Sequence, residues 1–167
     1  MSLIRLKHHD RYDYSPLPER PDFTWPGGKR LSVAICNNIE IFSFRDGLGS
    51  DSAQVGAPQT SRNYAWRDYG NRVGQWYLFD LLDEMGLPAS PNFNSLLFDH
   101  CPAIADRMIA RGDEFIGHGR SNAERQDLLP PEKEEALIRE AYDAITSYTG
   151  TAPAGWLGPY LAQTDIT

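Results

Sequence analysis

Apolar positions recur along the chain at two different spacings, and these predict where strands and helices lie. Leu31 to Cys36 is a β-branched and apolar run that predicts a first core strand, ending in Asn37-Asn38-Ile39-Glu40-Ile41-Phe42. Val73, Trp76, Tyr77, Leu81 and Met85 mark the buried side of a helix over 72–85, with Asn71 as its cap and Gly86 as its stop. Ala89 to Phe93 predicts a second strand, in which Pro91 offers no ladder N–H. Pro102 opens a short helix through Ala110, stopped by Gly112, and Glu114 to Gly117 follows as a third strand. Pro131 opens the clearest helix, to Thr149 with Gly150 after it. Leu137, Ala141, Ile145 and Tyr148 form its apolar face, and Glu132, Glu134 and Glu135 a solvated cap at the positive end of the dipole. A fourth strand, Ala154 to Leu157, runs into Gly158-Pro159-Tyr160.

Strands alternating with helices predict right-handed βαβ units and a parallel sheet, an α/β fold. Residues 1–30 are polar and studded with prolines (Pro16, Pro18, Pro21, Pro26) and read as an extended arm, leaving 31–167 as the folded domain. Residues 43–71 are rich in Gly, Ser, Asp and Asn without a clear period. So long a loop in a compact domain is usually functional or mobile. Its members Tyr64, Trp66, Arg67 and Tyr69 either line a cleft or pack the loop down.

Composition narrows the function classes. At 167 residues the chain holds one domain's worth of core, and its formal net charge of −7 argues against non-specific binding to a phosphate backbone. Cys36, in the predicted core strand, and Cys101, at a helix start, make neither a disulfide framework nor a metal-ligand spacing. His8 and His9 read as a solvated pair. The N-terminus lacks the apolar run of a signal peptide and no segment is long enough to span a membrane, so the expectation is a protein of the reducing cytoplasm.

Chemistry concentrates between Asp113 and Gln126. A short buried strand runs there into a loop of hydrogen-bonding and ionisable groups, with His118 bracketed by Gly117 and Gly119. In α/β folds, ligands bind at the carboxyl ends of the strands. Glu40 ends the first strand on the same rim, where partial burial would raise its pKa toward the working pH. An ion pair with Arg120 or Arg125 would lower it instead.

Three rim segments, Asn38-Ile39-Glu40-Ile41, His118-Gly119-Arg120-Ser121-Asn122 and Leu157-Gly158-Pro159-Tyr160, fall in an order that resembles the polysaccharide deacetylase (NodB-homology) superfamily, with its motifs T-F-D-D, H-[ST]-x-x-H and R-x-P-Y. Tyr69-Gly70-Asn71-Arg72-Val73-Gly74-Gln75-Trp76 resembles the Y-G-x-R-x-G-x-W signature of its allantoinase and cyclic-imide hydrolase branch, as does the Trp-Pro-x-Gly turn at Trp25. The resemblance implies the N-terminal portion of a distorted (β/α) barrel. It implies hydrolysis of a non-peptide C–N bond in a small amide, cyclic amide or imide. Glu40 takes the place of the general base. His118 is the group that polarises the carbonyl or protonates the leaving nitrogen. Asn38, Arg120, Asn122, Trp156 and Tyr160 stand as substrate contacts.

The departures from the motifs bear on the metal. In metal-dependent members the second Asp and both histidines hold it; here those positions are Ile41, His118 and Asn122. Isoleucine cannot ligate and a carboxamide is a poor zinc ligand, so no catalytic metal is expected. Zinc held with help from Glu124 is the minority alternative. The motif arginine is Leu157. Members of the family continue past the third motif, so the expectation is a truncated chain with an open sheet edge, forming a homo-oligomer. The alternatives are a metal-dependent deacetylase of N-acetyl sugars and an inactive half-barrel serving as a binding or assembly module.

Overall fold

A computed structural model describes residues 7–45 and 59–167. The first residues of the expected arm and the middle of the expected 43–71 loop lie outside the described residues. The chain divides into two units, Met1–Val33 and Ala34–Thr167. In the first, an antiparallel bridge joins Trp25 to Lys29, and Gly27 and Gly28, both at φ +71, make the turn between them. No described residue of this unit is buried.

The second unit is built on four parallel strands in the order β1 (Asn38–Ile39), β2 (Asn92–Phe93), β3 (Ile116–Gly117), β4 (Gly155–Trp156). Backbone bonds extend the pairing beyond those pairs: Ser90 N–H donates to Ile35 O, Glu114 N–H to Ala89 O and Ala154 N–H to Phe115 O. Pro91 has no N–H to give, but its carbonyl still accepts from Ile116 N–H at 3.0 Å. This is the parallel α/β arrangement that the alternation of periods predicts.

The first strand lies later than its apolar run suggests. Leu31 and Val33 are 75% and 74% exposed, Cys36 is exposed, and Ile39 is the residue that reaches the core. Pairing begins at Ile35, because register is set by the hydrogen-bonding neighbour and not by hydrophobicity alone.

Between the strands run α1 (Ser61–Tyr69), α2 (Gln75–Met85), α3 (Leu97–His100), α4 (Pro102–Arg111) and α5 (Pro131–Thr149). Phe79 of α2, Leu97 and Phe98 of α3, Ile104 and Met108 of α4 and Ile145 of α5 pack with Ile39, Phe93 and Phe115 into one core. No helix among the described residues is long and apolar enough to cross a membrane.

Helix α2 buries Gln75, Phe79 and Leu82, not the expected side, whose Tyr77, Leu81 and Met85 are exposed, and two helix ends also differ from expectation. Residues 61–85 are helical throughout, with a π-helical turn at Gly70–Gly74. Thr60 therefore caps α1, and the Asn71 side chain donates instead to the backbone carbonyl of Glu40 at 2.7 Å. In the first turn of α5, Glu134 is not solvated but 1% exposed, accepting hydrogen bonds from the Thr164 and Thr167 hydroxyls at 2.6 Å each.

Gly86 follows α2 at φ +63, with nothing within 4 Å of where a Cβ would stand. Gly86→Ala should therefore cost only the left-handed backbone penalty, about 1 kcal/mol. That is read as a lower denaturant midpoint with an unchanged slope.

Candidate active site

The carboxyl ends of β1, β3 and β4 lead into a cavity of about 190 Å³. Five expected site residues line it together: Asn38, Glu40, His118, Asn122 and Tyr160. Phe42, Arg67 and Leu161 complete the wall. Tyr160 and Leu161 both hold left-handed backbone, at φ +60 and +57, a costly conformation that turns them onto this rim.

The central contact joins His118 and Glu40. His118 is 2% exposed, and its Nδ1–H donates to the carbonyl of Leu157. A carbonyl only accepts, so this bond fixes the tautomer and leaves Nε2 facing Glu40 Oε1 at 3.3 Å. For that contact to be a hydrogen bond, one further proton must lie between acid and imidazole. Leu157 thus carries a role through its backbone although its side chain lacks the motif arginine's charge.

Asn38 Nδ2 donates to the same Glu40 oxygen at 3.0 Å, while Asn38 Oδ1 accepts from Asn92. Arg67 Nη1 lies 3.7 Å from the other oxygen, with its guanidinium over the Phe42 ring. Burial is the strongest influence on Glu40 and raises its pKa. The hydrogen bonds from His118 and Asn38 and the charges of His118 and Arg67 together outweigh it, so the carboxyl lies below the ordinary glutamate value. The expected rise through burial does not occur. The expected competitors, Arg120 and Arg125, are not the groups that oppose it; Arg125 pairs with Asp127.

Asn94, at the end of β2, is wholly buried and orders the rim. Its Oδ1 accepts from Ile41 N–H at 2.8 Å, and its Nδ2 donates to His118 O and, at 3.1 Å, to Asn122 Oδ1. Backbone groups on both sides fix which way the Asn94 amide lies, and Asn94 in turn fixes Asn122. With the Asn122 oxygen occupied, its Nδ2–H is the donor left for the cavity. Tyr160 hydroxyl donates to Asn122 O at 2.8 Å; burial and then the Glu40 charge push its pKa up, keeping the proton on.

Arg120 and Trp156 are not brought into this cavity. Arg120 forks onto both oxygens of Glu124 at 2.9 and 2.7 Å and reaches Glu140 at 3.0 Å. Trp156 packs flat against Gly117, where any Cβ would come within 2.5 Å of its ring. The three rim motifs belong to β1, β3 and β4 and so pass over Asn92 and Asn94 of the β2 segment. The signal was present in Pro91-Asn92-Phe93-Asn94-Ser95, where polar groups crowd the end of an apolar strand.

The residues do not fit the metal that the superfamily's motifs imply. Ile41 has no donor atom, the Asn122 oxygen already accepts from Asn94, and Glu124 is held by Arg120. Among the described residues of this cavity one imidazole nitrogen and one carboxylate remain, short of a three-ligand catalytic set. Among the described residues no group of three His, Cys, Asp or Glu is placed to hold an ion.

The parallel sheet with flanking helices matches solved structures that have the deacetylase type of (β/α) barrel, over about half of their chains. PuuE allantoinase has this fold, at TM-score 0.70 and 23% identity over 87% of this chain and 53% of its own. A probable polysaccharide deacetylase from Pseudomonas aeruginosa PAO1 aligns at TM-score 0.67 and 25% identity, over 79% and 48%. A carbohydrate esterase family 4 pseudoenzyme from Bacillus anthracis aligns at 0.56 and 11%, over 80% and 37%. The chain spans about half the length of the first two of these solved structures and 37% of the third. No curated protein matches the sequence. The polysaccharide deacetylase family profile matches residues 64–167, and the chain belongs to that family, within the NodB-homology superfamily.

Proposed function

We propose that this cavity hydrolyses a C–N bond, other than a peptide bond, in a small amide, cyclic amide or imide, without a metal ion. The Glu40–His118 contact carries the reading: a carboxylate oxygen and an imidazole nitrogen meet at 3.3 Å in the wall of the cavity. Glu40 takes a proton from water as the water oxygen attacks the carbonyl carbon. The Asn122 Nδ2–H donates to the carbonyl oxygen as charge gathers on it, a job for preorganised donors in the absence of a Lewis acid. His118 then passes its Nε2 proton to the departing nitrogen, and the C–N bond breaks. The size of the cavity, below the usual range for drug-sized ligands, supports a small substrate.

The family match supports a second reading, a zinc-dependent deacetylase of N-acetyl sugars. Succinimide, hydantoins, formamides and N-acetyl sugars, assayed with chelator and with added zinc, separate the two. Turnover of a cyclic amide or imide that chelator leaves within about twofold is expected. Stoichiometric zinc in the purified protein, or sugar deacetylation that needs it, would replace the first reading with the second.

A further inference from the structure

The helix over 61–85 carries a second apolar side that the chemistry above leaves unused. Gln75, Phe79 and Leu82 face the core, and Arg67 and Asn71 turn toward Glu40. On the opposite side Trp66, Tyr69, Tyr77, Leu81 and Met85 are 50–71% exposed, with Val73 half-buried among them. The π-helical turn Gly70–Gly74 makes these one stripe. Two α-helical turns take about seven residues and the π-turn adds one, so Tyr77, eight positions after Tyr69, stands in line with it. Leu81 and Met85 continue the line at steps of four.

A helix that is apolar on both sides is normally buried on both. These five side chains still expose on the order of 600 Å², the upper end of the largest patch on a typical monomer and most of the roughly 800 Å² per partner of a stable interface. Charge along the helix points to the partner. The half before Val73 carries Arg62, Arg67 and Arg72 against Asp68, while the half after it carries Asp80, Asp83 and Glu84 and no base. Arg72 pairs with Asp68 and Asp83 with Arg107, whereas Arg62 and Glu84 are exposed on the line of the stripe. A second copy laid antiparallel across a two-fold axis at Val73 is complementary to the first. Tyr69 then falls opposite Tyr77, Trp66 opposite the Asp80–Leu81 step, and Arg62 opposite Glu84. A parallel copy would set base against base and acid against acid.

We infer that the Trp66–Met85 stripe is a dimer interface, the antiparallel seat of a second copy of this chain. The interface uses the helix side turned away from Glu40, so it stands whether or not Glu40 is the base. Sedimentation equilibrium on the full chain, over a range of concentrations at low salt, tests it with wild type, Tyr77→Glu, Arg62→Glu, Glu84→Arg and the Arg62→Glu/Glu84→Arg exchange. All three positions are exposed in the single chain, so none of these changes touches its core.

The wild type should dimerise at micromolar concentration. Tyr77→Glu, which sets a charge in the middle of the stripe, should raise the dimer Kd about a hundredfold. Arg62→Glu and Glu84→Arg should each raise it about tenfold, because each sets like charges face to face twice across the two-fold axis. The exchange of both should return the Kd to within about threefold of wild type. That recovery supports the antiparallel pairing and excludes a folding defect as the cause of the single losses. A chain still monomeric at about 100 µM overturns the inference. So does a dimer that neither Tyr77→Glu nor Arg62→Glu weakens, which would be held elsewhere on the surface, and so does an exchange that recovers nothing.

Discussion

Glu40→Gln should lower kcat/KM on the accepted amide by about 10²–10⁴-fold, the usual worth of a positioned general base. Glutamine keeps the shape of the side chain and an oxygen that accepts from Asn38, so the fold should survive; what disappears is the ability to take a proton. The pH profile gives a second check. Burial pushes the Glu40 carboxyl up, but hydrogen bonds from His118 and Asn38 and the nearby charges hold it below the ordinary glutamate value. The acid limb of kcat/KM should therefore fall below that value. The same shift makes a stability prediction. A carboxyl depressed on folding adds stability above its unfolded pKa, and that gain drains away as pH falls through the folded value. Glu40→Gln should flatten this part of the acid unfolding curve. Full turnover in the variant, or an acid limb above the ordinary glutamate range, would remove Glu40 as the base.

Helices α4 and α5 were legible because their ends are written locally. Proline at the first helical position and glycine in a left-handed conformation just beyond the last turn are constraints that a few residues satisfy among themselves. The rim residues Glu40, His118, Asn122 and Tyr160 were legible for another reason: parallel strands deliver all their carboxyl ends to one side. What stayed hidden depends on contacts distant in sequence. The register of β1 is set by β2, and the burial of Glu134 by Thr164 and Thr167 thirty residues on. Arg120 looked like a site residue because it follows His118, yet the closest carboxylates along its path are Glu124 and Glu140. The sign of the Glu40 shift had the same origin. Strand position alone gives burial, while the opposing donors arrive from β3, from α1 and from Asn38 two residues before it.

Asn94→Leu should destabilise the protein by about 3 kcal/mol, because one side chain answers three groups at once. Leucine keeps the number and branching of side-chain heavy atoms but abandons the Ile41 N–H, the His118 carbonyl and the Asn122 oxygen, all in a buried place. The Asn94 side chain takes the position of a ladder acceptor for the Ile41 N–H. Asn94→Asp separates the terms. Aspartate can still accept from Ile41 N–H, but it sets an acceptor against two acceptors and buries a charge, so it should cost at least as much. Activity should fall beyond what unfolding explains. Without Asn94 the Asn122 amide is free to turn its oxygen toward the cavity, where a developing oxyanion would meet another acceptor in place of a donor. That loss belongs in kcat, measured well below the unfolding midpoint, with KM little changed. An Asn94→Leu protein that unfolds within about 0.5 kcal/mol of wild type and keeps its kcat would mean that something other than this amide holds Asn122 in place.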